Sequence, residues 1–369
     1  MKKLNPNNER IKRNYFVFLK EAKQLSEQTL DSVASSLNRF EVYNKHKDFK
    51  AFHYEQAVGF KNFLSHEQNQ RTGKLLSKST LHATLVSLRS FFEWLYGQPG
   101  FKSRFSYSDA SYFNLSLKDV KVAQASTIKA SPTIEQIKHA LSLMPQKSSI
   151  ELRNRALIAF TFLTGARVGA LASAKVKHVD VNAELFIQDA REVDTKFSKT
   201  FPTYFFPVGD EALQIIVDWI QYLKHELLWG DDDPLFPSTL IEVGELQRFE
   251  ATGLARRHWA SSTPIRQIFT AAFLSAGLPD FKPHSFRNTL VRLGESLCKT
   301  PEAFKAWSQN FGHESVLTTL YSYGTVSSHR QSEIIRNLSV QQSESPLGTA
   351  EFAKVLAREL QANNYLAKA

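Results

Sequence analysis

A chain of 369 residues, 42% hydrophobic and 22% charged, has ordinary globular composition and the length of two domains, which excludes wholesale disorder. No apolar run nears the roughly 20 residues that span a bilayer, the charge-broken start MKKLNPNNERIKRNYFVFLK has no secretory pattern, and the single cysteine, Cys298, excludes a disulfide framework or a cysteine-rich zinc site. A soluble, cytoplasmic protein is expected. The formal net charge of +10 is uneven: residues 1–120 hold 19 Lys and Arg against 11 Asp and Glu, and the remainder hold 27 against 25. A basic N-terminal third suits a polyanionic partner, because Lys and Arg displace counterions condensed on phosphates, although a solvated basic face would give the same count.

The first 28 residues are basic and too few for a folded domain of their own. Leu30, Val33, Leu37 and Phe40 then recur at helical spacing. Leu81, Leu85, Leu88, Phe92 and Leu95 form a second stripe, with Ser79 as N-cap and Gly97 as stop. With the aromatic-rich segment between them, residues 29–97 read as a small helical bundle whose polar faces carry Arg39, Lys78 and Arg89. The stretch LKDVKVAQASTIKASPT, small, polar and basic, reads as a linker ending near Pro132, and a second helical region begins at Thr133. The one convincing β signal is ELFIQDAREVDTKFSKTFPTYFFPV, read as a hairpin with Lys196 and Lys199 near its tip. Beyond it come the helical pattern ALQIIVDWIQYL, a loop with Asp231, Asp232 and Asp233 read as solvated rather than metal-binding, and more helix to the end. The last segment, EFAKVLARELQANNYL, reads as an amphipathic helix with Phe352, Val355, Leu356 and Leu360 on one side.

Four segments concentrate basic and nucleophilic residues: TGARVGAL with Arg167, TKFSKTF with Lys199, PHSFRNT with His284 and Arg287, and FGHESVLTTLYSYG with His313 and Tyr323. Singly, each has an ordinary explanation as a surface arginine, a capping or core histidine, or a packing tyrosine. Together, in the order Arg, Lys, His-x-x-Arg, His, Tyr, they resemble the active-site signature of the tyrosine recombinases, the phage integrase family. The resemblance runs from about residue 29 to about residue 335. It implies a mainly α-helical protein, with an N-terminal helical core-binding (SAM-like) domain over residues 1–116 and a linker over 117–131. A catalytic domain with a small antiparallel β-sheet would follow over 132–340, and a helical tail over 341–369.

The residue types suit the chemistry. In-line attack on a phosphodiester gathers negative charge on the nonbridging and leaving oxygens, so positioned cations do most of the catalysis. Arg167 and Arg287 can each offer a planar fork to phosphate that a lysine cannot copy. By resemblance, Tyr323 attacks phosphorus and leaves a 3′-phosphotyrosyl link, with no metal, ATP or other cofactor required. A free tyrosine has a pKa of about 10, so a neighbour must take its proton, and His284 is the candidate. His313 would hydrogen-bond the phosphate and Lys199 would protonate the leaving 5′ oxygen. Tyr321 remains an alternative nucleophile and Lys196 an alternative acid. Ala170 stands where many members carry a glutamate. The partners implied are double-stranded DNA, three further copies of the chain in a tetramer on two DNA sites, and accessory DNA-bending proteins, with a mobile element as the setting. The tail would dock on a neighbouring protomer. The competing readings are a type IB topoisomerase, which His284 argues against, and a DNA-binding regulator without activity.

Overall fold

The computed structural model describes residues 4–70, 72–125, 130–244 and 247–313, together with Val316, Thr319 and Lys354. The chain divides between residues 126 and 127 into two compact units. As the sequence indicated, the fold is mainly helical with a small antiparallel sheet.

The N-terminal unit holds α1 (Pro6–Val17, extended by one π-helical segment), α2 (Glu27–Tyr43), α3 (Tyr54–His66), α4 (Lys78–Tyr96) and α5 (Leu117–Gln124). Both expected stripes are core: Leu30, Val33, Leu37 and Phe40 on α2, and Leu81, Leu85, Leu88, Phe92 and Leu95 on α4. Phe40 sits among Phe52, Phe60, Phe92 and Phe113, each within 6.2 Å between ring centroids. Edge-on ring pairs of this kind fill a small core with few residues.

Three sequence expectations change here. The bundle starts at Pro6 rather than near residue 29, because the basic residues of α1 hide an apolar face of Ile11, Tyr15 and Leu19. Asn8, fully buried, locks that helix in place by donating to Glu41 Oε1 and the Lys47 carbonyl and accepting from the Phe49 amide. The N-cap of α4 is Ser77, whose hydroxyl accepts from the Thr80 amide, rather than Ser79. Finally, residues 117–124 of the expected linker are helical: Ser116 caps α5, and Asp119 pairs with Lys78 at 2.9 Å. This helix buries no residue, so no apolar period marks it in the sequence.

The C-terminal unit begins with α6 (Ile134–Leu143) and α7 (Ser149–Thr164). Residues 156–164 of α7 are all buried, making it the central helix. Then follow α8 (Val168–Ser173), β1 (Val179–Asp180), β2 (Leu185–Gln188), β3 (Phe201–Tyr204) and α9 (Asp210–Gln221). The three strands pair in order, antiparallel, with Phe186 opposite Thr203. The loop between β2 and β3 carries Lys196 in a short 3-10 turn, and Lys199 stands two residues before β3.

A second hairpin, β4 (Ser238–Val243) with β5 (Phe249–Ala255), stands where the sequence read as helix. Its outer half is exposed on both faces, with Phe249 81% accessible, so it lacks the buried alternation that announces a strand. The last described helices are α10 (Thr263–Ser275), α11 (Pro283–Leu297) and α12 (Pro301–Asn310). The acidic run is solvated at Asp231 and Asp232, as expected, where they form surface pairs with Lys224 and with Lys175 and Lys177; Asp233 is more enclosed and pairs with Arg256.

Candidate active site

The site is assembled from the end of α7, the start of α11 and the turn after α12. Helix α7 stops at Gly165, which takes the left-handed conformation (φ +58°) and donates to the Thr161 carbonyl at 2.8 Å. The chain then turns so that Arg167, half-buried, becomes the N-cap residue of α8. Ala170, at the position of the family's glutamate, is wholly buried in the core.

Arg287, on the second turn of α11, is 2% exposed. Its Nη1 donates to the Gly165 carbonyl at 2.7 Å and its Nη2 to the Phe311 carbonyl at 3.0 Å. The guanidinium carbon lies 4.6 Å from the centre of the Phe311 ring. Nη2 is also 2.9 Å from Nε2 of His313, which is 6% exposed. On the other edge of that ring, Nδ1 lies 2.8 Å from Thr319 Oγ1, and Thr319 meets Ser308 Oγ at 2.6 Å. His284, one turn before Arg287 on the same helix, is exposed.

Strand β3 is fixed to this turn. The Tyr204 amide donates to Asn310 Oδ1, the Asn310 side-chain amide donates to the Tyr204 carbonyl, and Thr203 Oγ1 donates to the Asn310 carbonyl. Gly312 (φ +72°) lets the turn pass so close to Phe201 that a Cβ would come within 2.5 Å of its ring. The strand thereby brings Lys199 to a cleft of about 650 Å³ that is also lined by Tyr204, Asn310 and His313.

The electrostatics mark the same centre. The pKa of His313 is pushed down to about 3, first by burial and then by the positive charges of Arg287, Arg167, Lys196 and by His284. Three of the expected residues, Arg167, His284 and Arg287, therefore act on a fourth, His313. Lys199 shares a cleft with His313, while Lys196 is among the charges that His313 feels. Tyr323 and Tyr321 lie outside the described residues, as do Phe352, Val355, Leu356 and Leu360. Sequence reasoning missed Ser308, Asn310, Phe311 and Thr319. Of these Phe311 and Thr319 stood inside the segment FGHESVLTTLYSYG, but nothing there marked the Phe311 carbonyl or distinguished the Thr319 hydroxyl from its neighbour's.

Comparison with known proteins gives this centre a class. Residues 132–330 match the phage integrase family and residues 13–98 match the phage integrase N-terminal SAM-like domain. The chain belongs to the phage integrase family, the tyrosine recombinases, and is a site-specific recombinase. It is 23% identical to tyrosine recombinase XerC of Halalkalibacterium halodurans over 314 residues, 84% of this chain and 91% of that one. It is also 23% identical to XerC of Lactobacillus delbrueckii subsp. bulgaricus over 267 residues, 67% of this chain and 72% of that one. The fold resembles that of a lambda integrase fragment crystallised as a dimer on a COC' core site, with a TM-score of 0.57, 14% identity and coverage of 86% and 96% of the two chains. A Tn1549 transposon integrase bound to transposon right-end DNA gives a TM-score of 0.56 at 15% identity, covering 89% and 99%.

Proposed function

We propose that this recombinase cleaves and rejoins duplex DNA at the pocket formed by Arg167, Lys199, His284, Arg287 and His313, with Tyr323 as nucleophile. The observation that carries the assignment is the buried Arg287, whose fork is anchored on the Gly165 and Phe311 carbonyls with Arg167 and His284 around the same histidine. A guanidinium desolvated and aimed in advance stabilises the charge that builds on a phosphate in the transition state without reorganising. The tyrosine oxygen bonds to phosphorus as the 5′ oxygen leaves. His284 accepts the phenolic proton, and Lys199 delivers one to the 5′ oxygen. Lys196 is the competing acid, supported by its charge acting on His313. Rejoining reverses these transfers on a new 5′ hydroxyl, and the phosphotyrosyl bond carries the energy.

The N-terminal unit and the catalytic unit act as a clamp on the duplex, joined by residues 126–131. Double-stranded DNA and further copies of the chain are its partners, with four protomers on two sites during strand exchange. The DNA-bound, dimeric relative supports that reading. Residues 341–369 supply the contact between protomers. We assign the protein to the bacterial cytoplasm and to a mobile element. Among the described residues, no helix is long and apolar enough to cross a membrane.

The test is a covalent-adduct assay. DNA carrying the cognate site, sought beside the gene, is nicked so that the cleaved fragment escapes, and the products are run on a denaturing gel. An adduct with wild type and Tyr321→Phe but not with Tyr323→Phe is expected. Loss only with Tyr321→Phe would move the nucleophile, and tight binding without any adduct would favour a DNA-binding regulator.

A further inference from the structure

No step of the proposed chemistry uses Thr319 or Ser308, yet both hydroxyls are buried against the active centre. Ser308 and Thr319 are each 0% exposed. Arginine is a donor only, so where Arg287 Nη2 meets His313 Nε2 at 2.9 Å the imidazole nitrogen must supply the lone pair. A neutral imidazole carries one proton, and that proton is then on Nδ1. Nδ1 faces Thr319 Oγ1 at 2.8 Å, which becomes the acceptor, and the same oxygen meets Ser308 Oγ at 2.6 Å, where either hydroxyl can donate. The direction Arg287 to His313 to Thr319 follows from donor chemistry, and Ser308 backs the threonine hydroxyl.

Thr319 lies two residues before Tyr321 and four before Tyr323, whereas Ser308 belongs to α12 and Arg287 to α11. We propose that Thr319, backed by Ser308, is a positioning residue that accepts the hydrogen bond of the His313 Nδ1–H and so holds Nε2, unprotonated, toward Arg287. The proposal rests on the active-site reading above and adds a positioning residue to it. In the free protein His313 is an acceptor that aims Arg287. A disengaged Thr319 would leave the ring free to flip or to change tautomer, and Arg287 would lose its contact with His313.

Proton-coupled nitrogen-15 spectra of the histidine rings in the full-length, DNA-free protein read the tautomer directly, with His313 assigned by its loss in His313→Gln. Wild type should show the Nδ1-protonated pattern, Thr319→Val should shift it to the Nε2-protonated form or a mixture, and Thr319→Ser should restore it. With nicked cognate DNA at saturation, Thr319→Val should cleave roughly tenfold more slowly, the loss expected for one buried hydrogen bond, with DNA affinity unchanged and Thr319→Ser near wild type. Ser308→Ala should move both readouts the same way by a smaller amount. A wild-type ring protonated at Nε2, or a Thr319→Val protein with an unaltered ring and an unaltered rate, would overturn the proposal. If wild type forms no covalent adduct at all, the active-site reading fails, while the spectra still decide the hydroxyl chain.

Discussion

Arg287 Nη1 donates to the carbonyl of Gly165 at 2.7 Å, joining the start of α11 to the end of α7 across 122 positions of sequence. That carbonyl points at Arg287 because Gly165 adopts φ +58°, and a Cβ there would stand 2.9 Å from the Phe311 ring and 3.1 Å from Leu290. Gly165→Ala pays a left-handed backbone penalty of about 1–2 kcal/mol plus overpacking of about 1–3 kcal/mol. A thermal melt should therefore fall by several degrees, with cleavage reduced beyond what the residual folded fraction explains. An unshifted melt would show that the turn is not fixed by this packing.

Arg287→Lys keeps a positive charge but cannot hold the Gly165 and Phe311 carbonyls at once while presenting a flat fork to phosphate. Single-turnover cleavage should drop by roughly 10²–10³, the usual effect of removing one preorganised stabilising donor, while DNA affinity changes far less. A lysine variant within a few-fold of wild type would mean that charge alone suffices and that the fork geometry is incidental.

The legible parts of this protein are those where function or burial forces a residue type. The α2 and α4 stripes were readable because a helix face against a core must be apolar every third or fourth position. Arg167, His284, Arg287 and His313 stood out in the sequence because phosphate chemistry would restrict the side chain at each position, and the charges of the other three act on His313. Helix α5 and the β4–β5 hairpin were not, because their exposed residues are under no such constraint. The supports of the site were hidden for another reason. Gly165 and Phe311 act on Arg287 through their carbonyls, which any residue possesses, and only the glycine conformation and the ring stacking leave a trace in the sequence.

Acid should weaken the fold through His313. Its folded pKa of about 3 lies below the ordinary value of 6.5, so the unfolded chain binds the proton more readily. Stability is then present above the unfolded pKa and is lost as pH falls through about 6.5 toward 3. The positive charges of Arg287, Arg167 and Lys196 add to burial in holding the ring neutral. Between pH 8 and pH 5 the melting temperature of wild type should fall more than that of His313→Gln. His258, also shifted down by burial, contributes equally to both proteins and cancels in the difference. Parallel pH profiles would show that His313 is not held neutral by the fold.

Arg153 presents the opposite case, a buried cation engaged in structure rather than chemistry. It is 1% exposed on α7, with Nη1 on the Pro237 carbonyl at 2.7 Å, Nη2 on Thr239 Oγ1 at 3.1 Å, Nε on Asn154 Oδ1 at 3.0 Å and its guanidinium 4.6 Å from the Trp259 ring centre. Burial pushes its pKa down to about 10, so it is still charged at neutral pH, and the Pro237 carbonyl and Thr239 hydroxyl it holds are neutral groups at the root of the β4–β5 hairpin. Arg153→Met fills much of the volume but strands the Pro237 carbonyl, at a cost of about 1–3 kcal/mol. Because those contacts converge on the strand root, the loss should be local. Hydrogen exchange should quicken in peptides over residues 238–255 and stay unchanged over β2 and β3, whereas a uniform rise would mean that Arg153 supports the whole catalytic unit.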